Sequence, residues 1–251
     1  MKKDFEIWQG GHYTCLKDKL APSAYGIAFE KGRVYISPED GYLYTDRCVK
    51  DKPNVLSLHE FFRPSTEEEI LSYRNFLKER LDLAGIEVGS RFRIMGLNSL
   101  NNMKVVDIDF DKEKMTFGSM TTHPDYQGNY EWPIQRVLQN MKMNQPNRWI
   151  LIDGEGNDIV IPLAKKAIMD RVNDPSREAS FTDSQIKALE RYMTLFDESS
   201  REVVFGRLIN EMSDDFKGEC LPVKWVDDMR SELMGYAATG ERKEHSQGLR
   251  M

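Results

Sequence analysis

Four side chains in the first sixty residues, His12, Cys15, Cys48 and His59, are of the types that ligate zinc. Their spacing argues against a site. His12 and Cys15 stand three apart in a stretch that reads as a strand, where such side chains leave opposite faces, and the closely paired knuckles of structural zinc sites are missing. Asp107, Asp109, Asp111 and Glu113 alternate like the opening of a calcium loop. Lys112, however, stands where that loop requires glycine, and Gly118 where it requires the closing glutamate. Asp153-Gly-Glu-Gly-Asn-Asp158 also gathers oxygens, but it separates two apolar runs, and a turn there calls for Gly, Asn and Asp on conformational grounds alone. No metal site is expected.

For acid–base work the candidate pair is His123 and Asp125, in Thr121-Thr-His-Pro-Asp125, where a loop between strand and helix can hold an imidazole near a carboxylate. A surface histidine is the commoner case. The chain has no GxSxG elbow and no glycine-rich phosphate loop, and Gly154-Glu-Gly156 is too short for a dinucleotide fingerprint, so no cofactor is expected. Aromatic chemistry is denser: Tyr35, Tyr42 and Tyr44 flank the turn Pro38-Glu-Asp-Gly41. Exposed rings of a small barrel stack on single-stranded nucleic acid, with Arg33 and Arg47 at hand for phosphates. The same tyrosines serve equally as core or cross-strand pairs.

Composition narrows the classes. Of 251 residues, 40% are hydrophobic and 30% charged, enough for real cores, and no run approaches the length of a membrane span. Residues 1–60 hold nine basic and nine acidic side chains, 85–163 eight and ten, and 164–251 fourteen and seventeen. No segment is basic, which weakens nucleic acid as a partner because counterion release needs clustered cations. The three cysteines, Cys15, Cys48 and Cys220, are odd in number and widely spaced, as reduced thiols are. The start MKKDFEIWQGG lacks the apolar run of a secretory signal, so the expected setting is intracellular.

The elements that must position these residues read as α+β: two small β-barrel-like, SH3-like modules joined by a helix and followed by a helical region. Residues 1–62 carry short aromatic and β-branched runs bounded by Gly, Pro and Asp. Residues 63–84 are the connecting helix, with overlapping capping boxes at Ser65/Glu68 and Thr66/Glu69, apolar Ile70, Tyr73, Leu77 and Leu81, and Gly85 as its stop. Residues 85–163 are the second β-module. In it Val106, Ile108 and Phe110 alternate with aspartates, a helix spans 132–143 led by Trp132, and Ile159-Val-Ile161 forms a last strand. Residues 164–240 are helical, with caps at Thr182/Gln185 and Ser199/Glu202 and a third helix after Pro222. Residues 241–251 form a tail.

The run from Phe29 to Leu43, followed by His59-Glu-Phe-Phe-Arg-Pro-Ser-Thr-Glu-Glu-Glu69, resembles small β-modules of uncharacterised proteins from tailed bacteriophages of Bacteroidetes hosts. Trp132-Pro-Ile-Gln-Arg-Val-Leu-Gln-Asn-Met-Lys142 resembles the helix that closes a second module type in such proteins. The resemblance covers residues 12–150 in patches. It implies a phage-encoded accessory or virion-associated protein with SH3-like folds, in the host cytoplasm or the virion, and it transfers no catalytic residue. The leading expectation is therefore a non-enzymatic protein that binds a phage or host protein through loops and strand edges, without a membrane, and that assembles, where it does, through its C-terminal helices. A nucleic-acid-binding protein using Tyr42, Tyr44, Arg33 and Arg47 is the alternative, and a hydrolase-like enzyme using His123 and Asp125 the third.

Overall fold

The computed structural model describes residues 6–20, 27–45, 50–53, 58–95, 102–120, 128–145, 147–174, 180–196, 200–212, 216 and 223–239. Two compact units emerge. The first comprises Met1–Asp82, Ile86–Met141 and Gln145–Ile150, and the second Leu83–Gly85, Lys142–Asn144 and Leu151–Met251. The α+β class is as expected, but among the described residues the sheets are antiparallel and open, and none closes into a barrel.

In the first unit, β1 (His12–Cys15) pairs on one side with β4 (Val34–Ile36) and on the other with β7 (Phe62–Pro64). Two short ladders accompany this sheet, β2 (Lys19–Leu20) with β3 (Ile27–Phe29) and β5 (Leu43–Tyr44) with β6 (Lys50–Asp51). Strand alternation sends Tyr13 and Cys15 from β1 into a core with Phe29, Tyr35 and Phe62. There the Phe29 ring meets Tyr35 and Phe62 edge-on, at 4.9 and 5.0 Å between centroids. The first module thus runs past residue 62, because β7 is its edge strand.

After the single turn α1 (Leu58–Phe61), helix α2 (Glu67–Ala84) follows. Its start is the expected Thr66/Glu69 capping box: the Glu69 amide donates to Thr66 Oγ1 at 3.2 Å and the Thr66 amide to Glu69 Oε2 at 2.9 Å. The overlapping Ser65/Glu68 box is not the one used, since the Ser65 hydroxyl bonds Thr14 instead. The end is a Schellman turn in which Gly85 takes φ +66° and the Ile86 amide donates to the Leu81 carbonyl at 2.9 Å. Leu81 and Ile86 are both buried, supplying the hydrophobic contact that accompanies this motif.

The large sheet runs β11 (Asn129–Pro133), β10 (Lys114–Ser119), β9 (Met103–Asp109), β8 (Arg91–Ile94), β12 (Trp149–Ile152). Its packed face carries Phe92, Phe117 and Trp149 in mutual ring contact, with Trp132 beside Trp149 at 5.4 Å. Simple alternation in β9 fails. Thr116 pairs with Asp107 and Phe117 with Val105, which leaves Val106 in a bulge. Met103 and Val105 are buried, Ile108 is partly so, and Val106 is 43% exposed. The expected helix over 132–143 is shorter, α3 (Ile134–Asn140), and Trp132 belongs to β11. The residue before a proline favours extended backbone, and Pro133 holds φ −56°, ψ 137° at the N-cap.

The second unit is helical: α4 (Val160–Val172), α5 (Asp183–Met193), α6 (Arg201–Glu211) and α7 (Val223–Thr239) pack in sequence order. The strand expected at 159–161 is the start of α4. Asp158 Oδ1 accepts from the Val160 amide at 2.8 Å, Pro162 is tolerated in the first turn, and Val160, Ala164, Ala167 and Ile168 are buried at helical spacing. The Asp153–Asp158 segment is a turn, with Asp153 Oδ1 accepting from the Glu155 and Asn157 amides at 2.8 and 2.9 Å; those backbone bonds hold its carboxyl below the usual range. The Thr182/Gln185 box forms in both directions, whereas α6 begins after Ser200, which makes no side-chain cap; Ser199 and Pro222 lie outside the described residues. Ile186, Leu189 and Met193 are buried on α5, Val204, Leu208 and Met212 on and beside α6, and Met229 and Leu233 on α7.

The bulge separates two neighbouring valines. Val105→Ala should cost about 2 kcal/mol, as a core truncation does, and Val106→Ala no more than about 0.5 kcal/mol. Urea unfolding of both variants checks this; equal costs would restore simple alternation.

Candidate functional site

The residues of β1 that turn away from the core, His12 and Thr14, face a polar seam against α2. Thr14 Oγ1 donates to Glu69 Oε2 at 2.9 Å and lies 2.8 Å from Ser65 Oγ. Arg63 on β7 holds the same carboxylate with both terminal nitrogens, Nη2 to Oε1 at 2.6 Å and Nη1 to Oε2 at 2.8 Å. The Arg63 guanidinium first, then the Thr66 amide and the Thr14 hydroxyl, hold the Glu69 carboxyl down from 4.5 to about 2.

His12 leads to the second carboxylate. Its Nε2 lies 2.8 and 2.9 Å from the two oxygens of Glu113; a carboxylate only accepts, so Nε2 carries the proton. Arg74 Nε donates to Glu113 Oε1 at 2.8 Å, and its Nη2 to the Asp111 carbonyl at 2.6 Å. Glu113 is 3% exposed, and at φ 54° it is the described non-glycine residue in the left-handed region. Beside it Tyr73 meets the His12 ring edge-on and donates to Gln135 Oε1 at 3.2 Å. One carboxylate thereby joins β1, α2 and the β9–β10 turn.

A carboxylate-oriented imidazole is the positioning half of an acid–base pair. The nearby hydroxyls of Thr14 and Ser65, however, bond each other and Glu69, so the seam links elements rather than activating a nucleophile. Cys15, three residues from His12, is on the other face, where its thiol donates to the Lys17 carbonyl at 3.0 Å. His59 is partly buried on α1. Among the described residues no three His, Cys, Asp or Glu side chains converge as metal ligands.

Of the residues singled out in sequence, Tyr44 is 8% exposed, and Tyr42 is partly exposed with Lys52 Nζ 5.6 Å over its ring. Arg33 is exposed and ion-paired to Glu30 at 2.6 Å. Tyr35 is buried, its hydroxyl accepting from the Glu30 amide at 2.6 Å. His123, Asp125, Arg47, Cys48 and Cys220 lie outside the described residues.

No sequence motif marks Trp8. The residue is 60% exposed, yet its backbone is pinned: its amide donates to the Tyr13 hydroxyl at 2.8 Å, and its carbonyl accepts from the Gly11 amide at 2.9 Å. Gln9 donates to Asp40 Oδ1 at 2.7 Å, Gly10 to the Ser37 carbonyl at 2.9 Å, and Gly41 to the Ile7 carbonyl at 2.9 Å. This loop is stitched to the 37–41 turn, so the backbone that carries Trp8 is fixed from both sides. Gly11 admits no side chain, because a Cβ there would lie 2.7 Å from the Tyr13 hydroxyl. Burial raises the Tyr13 phenol above its ordinary value, keeping it protonated for its bond to the Glu6 carbonyl. The one sequence signal was the pair of glycines two residues after an aromatic.

Comparison with family models, curated proteins and solved structures gives no match to this chain.

Two outcomes test the seam. Glu113→Ala leaves the His12 Nε2 without its acceptor and Arg74 with Asp111 alone, and should cost about 2–3 kcal/mol, while Glu113→Gly, which relieves the left-handed backbone, should cost about 1 kcal/mol less; chemical denaturation compares them. For Glu69 the folded carboxyl sits below its unfolded value, so its stabilisation is complete above about pH 4.5 and disappears as the pH falls towards about 2. The stability gap between the native chain and Glu69→Gln should therefore narrow across that window, and a constant gap would contradict the assignment.

Proposed function

We propose that this chain is a phage-type accessory or virion-associated protein that acts by binding another protein, inside the host cell or on the particle. The observation that carries the reading is Trp8, a large amphipathic ring presented to solvent on a loop whose backbone is held by hydrogen bonds on both sides. Interfaces draw much of their energy from a few residues, tryptophan prominent among them, and a backbone already ordered lowers the entropy lost on docking. Tyr42, partly exposed at the end of the turn to which this loop is bonded, has Lys52 Nζ 5.6 Å over its ring and offers a second aromatic contact. The patchwise resemblance of residues 12–150 to phage modules supports the setting. Among the described residues no helix is long and apolar enough to cross a membrane.

The test uses the full chain as bait in lysate of infected cells. Trp8→Ala should lose the captured protein at least about tenfold, with stability unchanged within about 0.5 kcal/mol because the ring is exposed. Equal capture by the variant removes Trp8 from the interface, and capture abolished by nuclease assigns the surface to nucleic acid instead.

A further inference from the structure

Strand β11 lies at one end of the five-stranded sheet, and Asn129, Tyr130 and Glu131 are exposed. Its ladder phase follows from two flanking bonds. The Ser119 amide donates to the Gly128 carbonyl at 3.2 Å and the Ile134 amide to the Glu113 carbonyl at 2.9 Å. Tyr130 and Trp132, paired with Phe117 and Met115, are in phase with those bonds and turn their N–H and C=O groups to β10. Asn129 and Glu131 turn theirs away, and among the described residues no strand pairs with that side. Pro133, next in phase, has no N–H.

We infer that this edge is a self-pairing surface, on which β11 of a second copy docks antiparallel with Tyr130 opposite Tyr130. Only a few registers match outward groups to outward groups. Centred on Glu131, pairing would set two carboxylates directly opposite and place Asn129 against Pro133, losing a bond and adding repulsion. Centred on Tyr130, Asn129 of each copy faces Glu131 of the other, so both residues exchange full pairs of backbone bonds and the amide side chain meets the carboxylate. The same register lays each Trp132 against the other copy's Gly128, an aromatic ring over a residue that offers no side chain of its own. Tyr130, 42% exposed at the rim of the packed face, finds its own copy across the two-fold axis. Glu131 already has Lys114 Nζ at 3.0 Å, which offsets the charge that the second copy brings near.

Five residues a side bury less than a stable dimer requires, so the association is weak and concentration-dependent. It rests on different residues from the Trp8 surface and survives if that surface proves silent.

Sedimentation of the full chain from about 5 to about 500 µM should show the mass rising from 29.2 kDa towards twice that value. Glu131→Pro deletes an outward N–H without touching the ladder to β10, so it should stay folded by circular dichroism and remain monomeric. Register is read by cross-linking: Tyr130→Cys should form an intermolecular disulfide under mild oxidation at least about tenfold faster than Val106→Cys, since facing residues of a non-hydrogen-bonded pair approach within bridging distance. A chain that stays monomeric throughout overturns the inference. So does a dimer that persists in Glu131→Pro, or a Tyr130→Cys variant that links no faster than the Val106→Cys control. If Glu131→Pro fails to fold, the cross-linking comparison decides alone.

Discussion

Glu113 is the constraint around which the first unit is arranged. A carboxylate that is almost wholly removed from water must be answered by charge and hydrogen bonds, and here the answers come from His12 on β1 and Arg74 on α2. The three groups belong to elements far apart in sequence. Any change in how α2 lies between the small sheet and the β9–β10 turn would leave an unpaired charge in the interior, a larger penalty than a displaced methyl group carries. Apolar packing tolerates small slips; this contact does not.

Glu69 applies the same logic one and a half turns earlier on α2. It closes the helix's first amides and is itself gripped by Arg63 and Thr14, so a local cap doubles as a tertiary fastener. Strand β1 makes both attachments possible because its alternation separates duties: Tyr13 and Cys15 enter the core while His12 and Thr14 serve the seam. Four residues thus fix the sheet to its core and to its helix at once. The left-handed backbone at Glu113 fits this picture, since strain of that kind persists only where surrounding contacts over-determine it.

What the sequence made legible is what short-range chemistry controls. The Thr66/Glu69 and Thr182/Gln185 boxes, the glycine stop of α2 and the turn at 153–158 all depend on residues within a few positions of one another. The bulge at Val106 was not legible, because pairing with β10 decides it and the string Val-Asp-Ile-Asp alternates well enough on its own. Ile159-Val-Ile161 carries strand-type residues, yet the Asp158 carboxylate and Pro162 turn it into a helix start. The candidate site was less readable still. His12 and Glu113 are separated by 101 positions, and nothing in the acidic run, which fails as a calcium loop, marks one of its carboxylates as a buried anchor.

The aromatic segment around the 37–41 turn is not a hairpin, since β4 pairs with β1 and β5 with β6, and its scaffold and surface roles are divided by residue. Tyr35, Leu43 and Tyr44 are buried, whereas the turn between them bonds the loop that carries Trp8. Tyr13 makes that division physical: its ring lies in the core and its hydroxyl receives the Trp8 amide. The exposed tryptophan is therefore held by the same side chain that stabilises the sheet beneath it. What is fixed is the backbone at Trp8, and that rigidity is supplied by the packing of β1 through Tyr13.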